Sequence, residues 1–140
     1  MNKFSTLGIT LCFAAGICSA ERYTGKLMDA DCYRDQKVAS RESGHKTYKS
    51  ITKTCAPTAS TARFAVRITD NPYWENVGNT IKLDDEGNTL ATSALHSGAL
   101  TQDHDGDVHV RVHGNLLGET FKTASLQPRG QHADIVARVK

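Results

Sequence analysis

Val108-His109-Val110-Arg111-Val112-His113 is the stretch that decides the fold. Valine takes every second position, and a polar residue fills each position between. Successive strand side chains point to opposite faces, so the three valines share one face and His109, Arg111 and His113 share the other. The pattern describes a strand with one face on a core and one in water. Gly114 to Gly118 follows as a turn or bulge, and Thr120 to Leu126 returns as a strand with Phe121, Ala124 and Leu126. The apolar phase of that strand slips between Phe121 and Ala124, which predicts a bulge.

Upstream of this hairpin, Asp103 to Asp107 is a polar turn. A helix precedes it, with Asn88 as N-cap, Leu90, Ala91, Ala94 and Leu95 on one face, and Gly98 as the stop. Ile81 and Leu83 form a short strand closed by Asp84-Asp85-Glu86-Gly87. Phe64, Val66 and Ile68 alternate with Arg63, Arg67 and Thr69 in another, which Asp70-Asn71-Pro72 ends. Tyr23 to Met28 is the first strand. Residues 33–54 are polar, basic and rich in Ser and Thr, and read as a long loop with room for one helical turn. Five short strands, with one short helix between the third and fourth, match a mainly β chain folded as a small OB-like five-stranded barrel. A β-sandwich is the competing architecture, but it usually needs about seven strands.

The first twenty residues have their own logic. Lys3 supplies a positive charge, Leu7 to Ile17 an apolar run, and Cys18-Ser19-Ala20 a small-residue exit. That order is a cleaved secretory signal. An N-terminal membrane anchor is the alternative, although spanning a bilayer takes roughly 20 apolar residues. A lipoprotein would need a small residue before its acceptor, where Ile17 precedes Cys18 and Leu11 precedes Cys12. The expected organisation is therefore a signal peptide over 1–20, an OB-like domain over 21–127, and a tail over 128–140 that adds an edge strand or stays loose. The expected location is exported, periplasmic or secreted, with no transmembrane segment in the mature chain.

Cys12 and Cys18 leave with the signal, so Cys32 and Cys55 remain. An even pair in an oxidising compartment predicts a disulfide. Their spacing is too wide for a Cys-x-x-Cys redox motif. Lys3 is one of 17 basic residues, so the mature chain is nearly neutral against its 15 acids. Net charge thus gives no reason to expect a nucleic-acid partner.

Several segments resemble a known group. Thr24-Gly25-Lys26-Leu27-Met28-Asp29-Ala30-Asp31-Cys32 resembles the T-G-x-hydrophobic-x-D-x-x-C opening of small exported bacterial proteins of unknown function. Cys55-Ala56-Pro57-Thr58 and the residues to Phe64 resemble their second-cysteine segment. Ile81 to Asp84 with Gly87-Asn88 resembles their middle x-L-D-x-x-G-N. Val110 to Gly114 with Gly118 to Lys122 resembles their closing hairpin. The resemblance implies an OB-like exported domain and assigns no activity. The chain departs from the pattern in the Tyr73–Asn79 loop and in the tail after Gly130.

Three constellations carry candidate chemistry. Asp103, His104, Asp105, Asp107 and His109 offer carboxylates and imidazoles for a divalent ion. Gly106 does not fall where an EF-hand loop requires it, and Asp-rich turns are ordinary. His109 and His113 lie about 13 Å apart along a strand and cannot share one ion. Tyr73 and Trp74 offer a stacking surface for a sugar, or else cover a barrel end. Between the cysteines, Arg34, Lys37, Arg41, Lys46, Lys49 and Lys53 face only Asp35 and Glu42. Lys46, Lys49 and Lys53 are the residues of that set expected to meet an anionic ligand.

There is no nucleophile elbow, zinc-protease motif or phosphate loop, and no cofactor is expected. The expected function is an exported non-enzymatic binding module. Its partner would be an anionic or carbohydrate envelope component or another exported protein. The alternatives are a small secreted hydrolase-like enzyme with a site assembled from loops, and a structural or stress-tolerance protein.

Overall fold

The computed structural model describes residues 20–43, 48–71 and 76–129, with the side chains of 40–43 and 48–50 left aside. The expected signal up to residue 19 and the tail from residue 130 lie outside the described residues. The elements are β1 (Glu21–Asp29), α1 (Ala30–Ser43), α2 (Tyr48–Thr54), β2 (Phe64–Asp70), β3 (Thr80–Leu83), α3 (Asp85–His96), β4 (Val108–Leu117) and β5 (Thr120–Pro128). The chain is mainly β. Its five strands run in the order β1, β2, β3, β5, β4, and β4 pairs back onto β1, so the sheet closes in a ring. Every pairing is antiparallel except β3 with β5.

The alternation at 108–113 holds. Val108, Val110 and Val112 are fully buried, facing Leu27, Phe64, Val66, Ile68 and Phe121 in one core inside the ring. β4 does not stop at Gly114 as expected. It continues to Leu117, and the two-residue turn is Gly118-Glu119. The phase slip in β5 is a bulge: the register passes from His113↔Ser125 to Gly114↔Thr123, which leaves Ala124 as the extra, exposed residue. A second bulge lies where Thr24 pairs Asp70 but Gly25 pairs Ile68. Both sites need glycine. A Cβ on Gly25 would lie 2.1 Å from the Arg67 carbonyl oxygen, and one on Gly114 would lie 2.0 Å from that of Lys122.

Two expectations need correcting. The first is the long loop over 33–54, which holds α1 and α2, so the chain has three described helices and not one. Asp29 starts α1: its carboxylate accepts the N–H groups of Asp31 (3.0 Å) and Cys32 (2.9 Å). Cys32 and Cys55 form the disulfide, with Cα atoms 5.5 Å apart, and tie α1 to the end of α2. Together they cover a second small core of Met28, Ile51, Cys55 and Ala65, with Ala30 and Tyr33 packed beside it. The apolar stripe of α1 is confined to its first turn, which is too short for helical periodicity to register.

The second correction concerns the start of α3. Its N-cap is Asp84, not Asn88: Asp84 Oδ1 accepts the N–H of Gly87 at 3.0 Å. The run read as a closing turn is the first turn of the helix, where Asp85 and Glu86 meet the positive end of its dipole. Asn88 has another task. Its Oδ1 accepts the N–H of Phe64 (2.9 Å) and stitches α3 to the start of β2. Ala91 then enters the core, with Ala94 and Leu95 packed against it.

Candidate functional site

Outward-facing residues of β2 and β3 form the floor of a cleft of about 410 Å³. α1 supplies one wall with Tyr33, Arg34 and Lys37. The connection between β2 and β3 supplies Asn76, Gly78 and Asn79. The β4–β5 turn supplies Gly118 and Glu119, with Leu116 beside them. Arg67, Thr80 and Lys82 rise from the floor. The volume falls within the range of small-molecule sites, roughly 300–1,000 Å³.

Charge in the cleft is one-sided. Among the described lining residues, Arg34, Lys37, Arg67 and Lys82 stand with a single carboxylate, Glu119. Lys82 approaches Glu119 only to 3.9 Å, and both are largely exposed. Arg34 is held at the rim by Asp31 (3.3 Å) and Asp35 (3.1 Å). Asp31 also takes a two-pronged contact from Arg63, at 2.6 and 3.0 Å. Arg67 lies over Gly78, its Nη2 3.7 Å from where a Gly78 side chain would begin. The amides form a chain: Asn79 Nδ2 donates to Asn76 Oδ1 (3.2 Å), and Asn76 Nδ2 donates to the Tyr23 hydroxyl (3.1 Å). Thr80 Oγ1 is shielded from solvent and has no hydrogen-bond partner among the described residues.

No protein-family model, curated protein or solved structure matches the chain. Its function is therefore argued from this geometry alone.

The residues singled out in the sequence fare unequally. Tyr73, Trp74 and the side chains of Lys46 and Lys49 lie outside the described residues. Lys53 is exposed near the end of α2 and does not line the cleft. Reading 33–54 as a loop gave no reason to separate Arg34 and Lys37 from the other cations. Placing them on the first turns of a helix would have aimed them at β2 and β3. Arg67 and Lys82 were visible as the outward residues of their strands, but nothing in the sequence pairs those strands.

The proposed metal ligands do come together, in two overlapping triads: Asp103 with Asp107 and His109, and Asp103 with His104 and Asp105. The shared ligand, Asp103, is already engaged through both oxygens. Asp103 Oδ1 accepts the N–H groups of Asp105 and Asp107, both at 2.9 Å. Asp103 Oδ2 lies 2.9 Å from His109 Nε2. Asp107 is ion-paired with the Lys26 ammonium. The Asp107 N–H lowers the Asp103 pKa most and outweighs a small desolvation, and His109 and the Asp105 N–H lower it further. The cluster is an Asx-type turn that docks the start of β4 on β1 through Lys26. His104 is almost fully exposed and reaches only its neighbour Asp105, at 3.3 Å.

Proposed function

We propose that the chain is an exported, non-enzymatic binding module with an OB-like barrel that takes an acidic saccharide in this cleft. The observation that carries the reading is the cleft's charge: among the described lining residues there are four cations and one carboxylate, with Arg34 also held by Asp31 and Asp35 at the rim. Tyr33 offers a ring face for a sugar, and the side-chain amides of Asn76 and Asn79 suit hydroxyl groups. Guanidinium forks suit a carboxylate.

The fold supports the same reading by analogy. OB-folds carry ligands on the face of strands 2 and 3, between the β1–β2 and β4–β5 connections. The cleft lies on β2 and β3, between α1 of the first connection and the Gly118-Glu119 turn of the second. The resemblance of the cysteine segments to small exported bacterial proteins, and the Cys32–Cys55 bridge, favour an oxidising compartment.

The test is calorimetric titration of the mature protein with a uronic-acid oligosaccharide and with its carboxyl-reduced, neutral counterpart. The acidic form binds, and binding weakens as salt rises. Replacing Lys37 and Lys82 with Gln weakens it further at low salt. Equal binding of both forms, or none at low salt, overturns the reading.

A further inference from the structure

We propose that Arg22, Arg111 and His113, on the outer face of β1 and β4, form a second binding site, for a tetrahedral oxyanion such as a phosphate or sulfate group. β4 turns its valines inward, so Arg111 and His113 face out. Register places Arg22 directly opposite His113, and Thr24 opposite Arg111. Arg22 and Arg111 stand on the diagonal of the strand pair, two like charges within reach of each other, and in acid His113 adds a third directly opposite Arg22, so this grouping costs the fold something. An anion lying across them would remove the repulsion.

Among the described residues, none of the three groups has an ion-pair partner. From β5, uncharged Ser125 and Gln127 stand opposite His113 and Arg111. One rung along, Lys122 stands opposite Asn115 and adds another cation. In the other direction Lys26 is paired with Asp107, and His109 with Asp103, so those charges are already matched. Glu21 is occupied by the Tyr23 hydroxyl at 2.7 Å. Asp70 is the nearest acid across the sheet, opposite Thr24 on β2. Arg111 Nε is shielded from solvent and has no hydrogen-bond partner among the described residues.

Two guanidinium groups and an imidazole standing on one face of two paired strands can share the three or four oxygens of a tetrahedral oxyanion, where a carboxylate offers only two. Desolvation first, and then Arg22 and Arg111, hold the His113 pKa below its ordinary value. The imidazole is therefore neutral near pH 7 and gains its charge in acid, when an anion can share the proton's field. This site is separate from the cleft on β2 and β3 and does not depend on what the cleft binds.

The experiment follows the histidine ring signals by NMR through a pH series with added sulfate, whose charge stays constant across the range. Sodium chloride of equal ionic strength is the reference. Sulfate is expected to raise the His113 titration midpoint, and to bind at least about threefold more tightly to the protonated form. Methyl phosphate and methyl sulfate, each added at neutral pH, separate the two sources, and binding of either supports the site. Arg111→Gln and Arg22→Gln lose the response. Arg22 is exposed, so its replacement leaves the core untouched. Arg63→Gln, which removes one charge elsewhere, keeps it. The proposal falls if sulfate acts no differently from chloride, if acetate matches sulfate, or if both arginine variants still respond.

Discussion

At the scale of the residue, Asp84 holds more of the structure than its place in an acidic run suggests. Its Oδ1 accepts the N–H of Gly87 inside α3 and the N–H of Thr123 on β5, at 3.0 and 3.1 Å. Burial alone would raise its carboxyl, but these backbone donors outweigh it and hold the pKa below 3.8. Asp84→Ala removes a cap and orphans a strand N–H, so it should cost about 1–3 kcal/mol in a urea melt. Asp84→Asn should cost less, because the amide oxygen still caps. A depressed carboxyl contributes stability above its unfolded pKa and loses it as pH falls through the folded one. The difference between Asp84 and Asp84→Asn in urea midpoint should therefore shrink in acid.

His113 acts with the opposite charge. Its pKa is lowered from 6.5, so between the depressed and ordinary values the unfolded chain holds more protons than the folded one. Stability then rises with pH through that window, is complete above the ordinary value, and falls on acidification. His113→Gln should flatten this part of the profile, below the ordinary value of 6.5. A profile unchanged by the substitution would place the acid sensitivity elsewhere.

At the scale of the element, the two bulges and the disulfide govern what each strand tolerates. Gly114→Ala would drive a methyl group into the Lys122 backbone, which cannot rotate away as a side chain could. A loss of about 1–3 kcal/mol or more is expected, along with a shift in the NMR signals of β5 around Ala124. Reducing Cys32–Cys55, or replacing both with Ser, should cost roughly 3 kcal/mol by the chain-entropy model. The loss should appear first as faster proteolysis between α1 and α2, because their shared core is small.

β2 and β4 were readable because each carries a period of two strong enough to stand alone, at 64–68 and 108–112. The β5 bulge was readable for the same reason, since a slip of phase leaves a mark. α1 was hidden because its apolar contacts come from one turn, while its cap, Asp29, looked like the end of a strand. The start of α3 was hidden because Asp, Glu and Gly serve turns and first helical turns equally well. The cleft was hidden for a further reason. Its cations come from α1, β2 and β3, and only the pairing of β2 with β3 and the packing of α1 beside β2 bring them to one place.

At the scale of the whole molecule, the ring is not uniform around its circumference. β1 and β4 share seven paired positions, and β4 and β5 share eight. β3 and β5 share two, Lys82 with Thr120 and Leu83 with Phe121. The N–H of Lys82 reaches the Glu119 carbonyl at 2.9 Å, and that of Asp84 reaches the Phe121 carbonyl at 3.1 Å. So few bonds make this join the clasp of the ring. Amide protons exchange with solvent through local opening, and opening is easiest where the fewest bonds must part. In deuterated water the amides of Lys82 and Asp84 should exchange well before that of Val110, with exchange followed residue by residue. The cleft straddles the same clasp, with Lys82 on one side and the Gly118-Glu119 turn on the other. An occupant touching both sides fastens it, so these two amide protons should become clocks for the filling of the cleft.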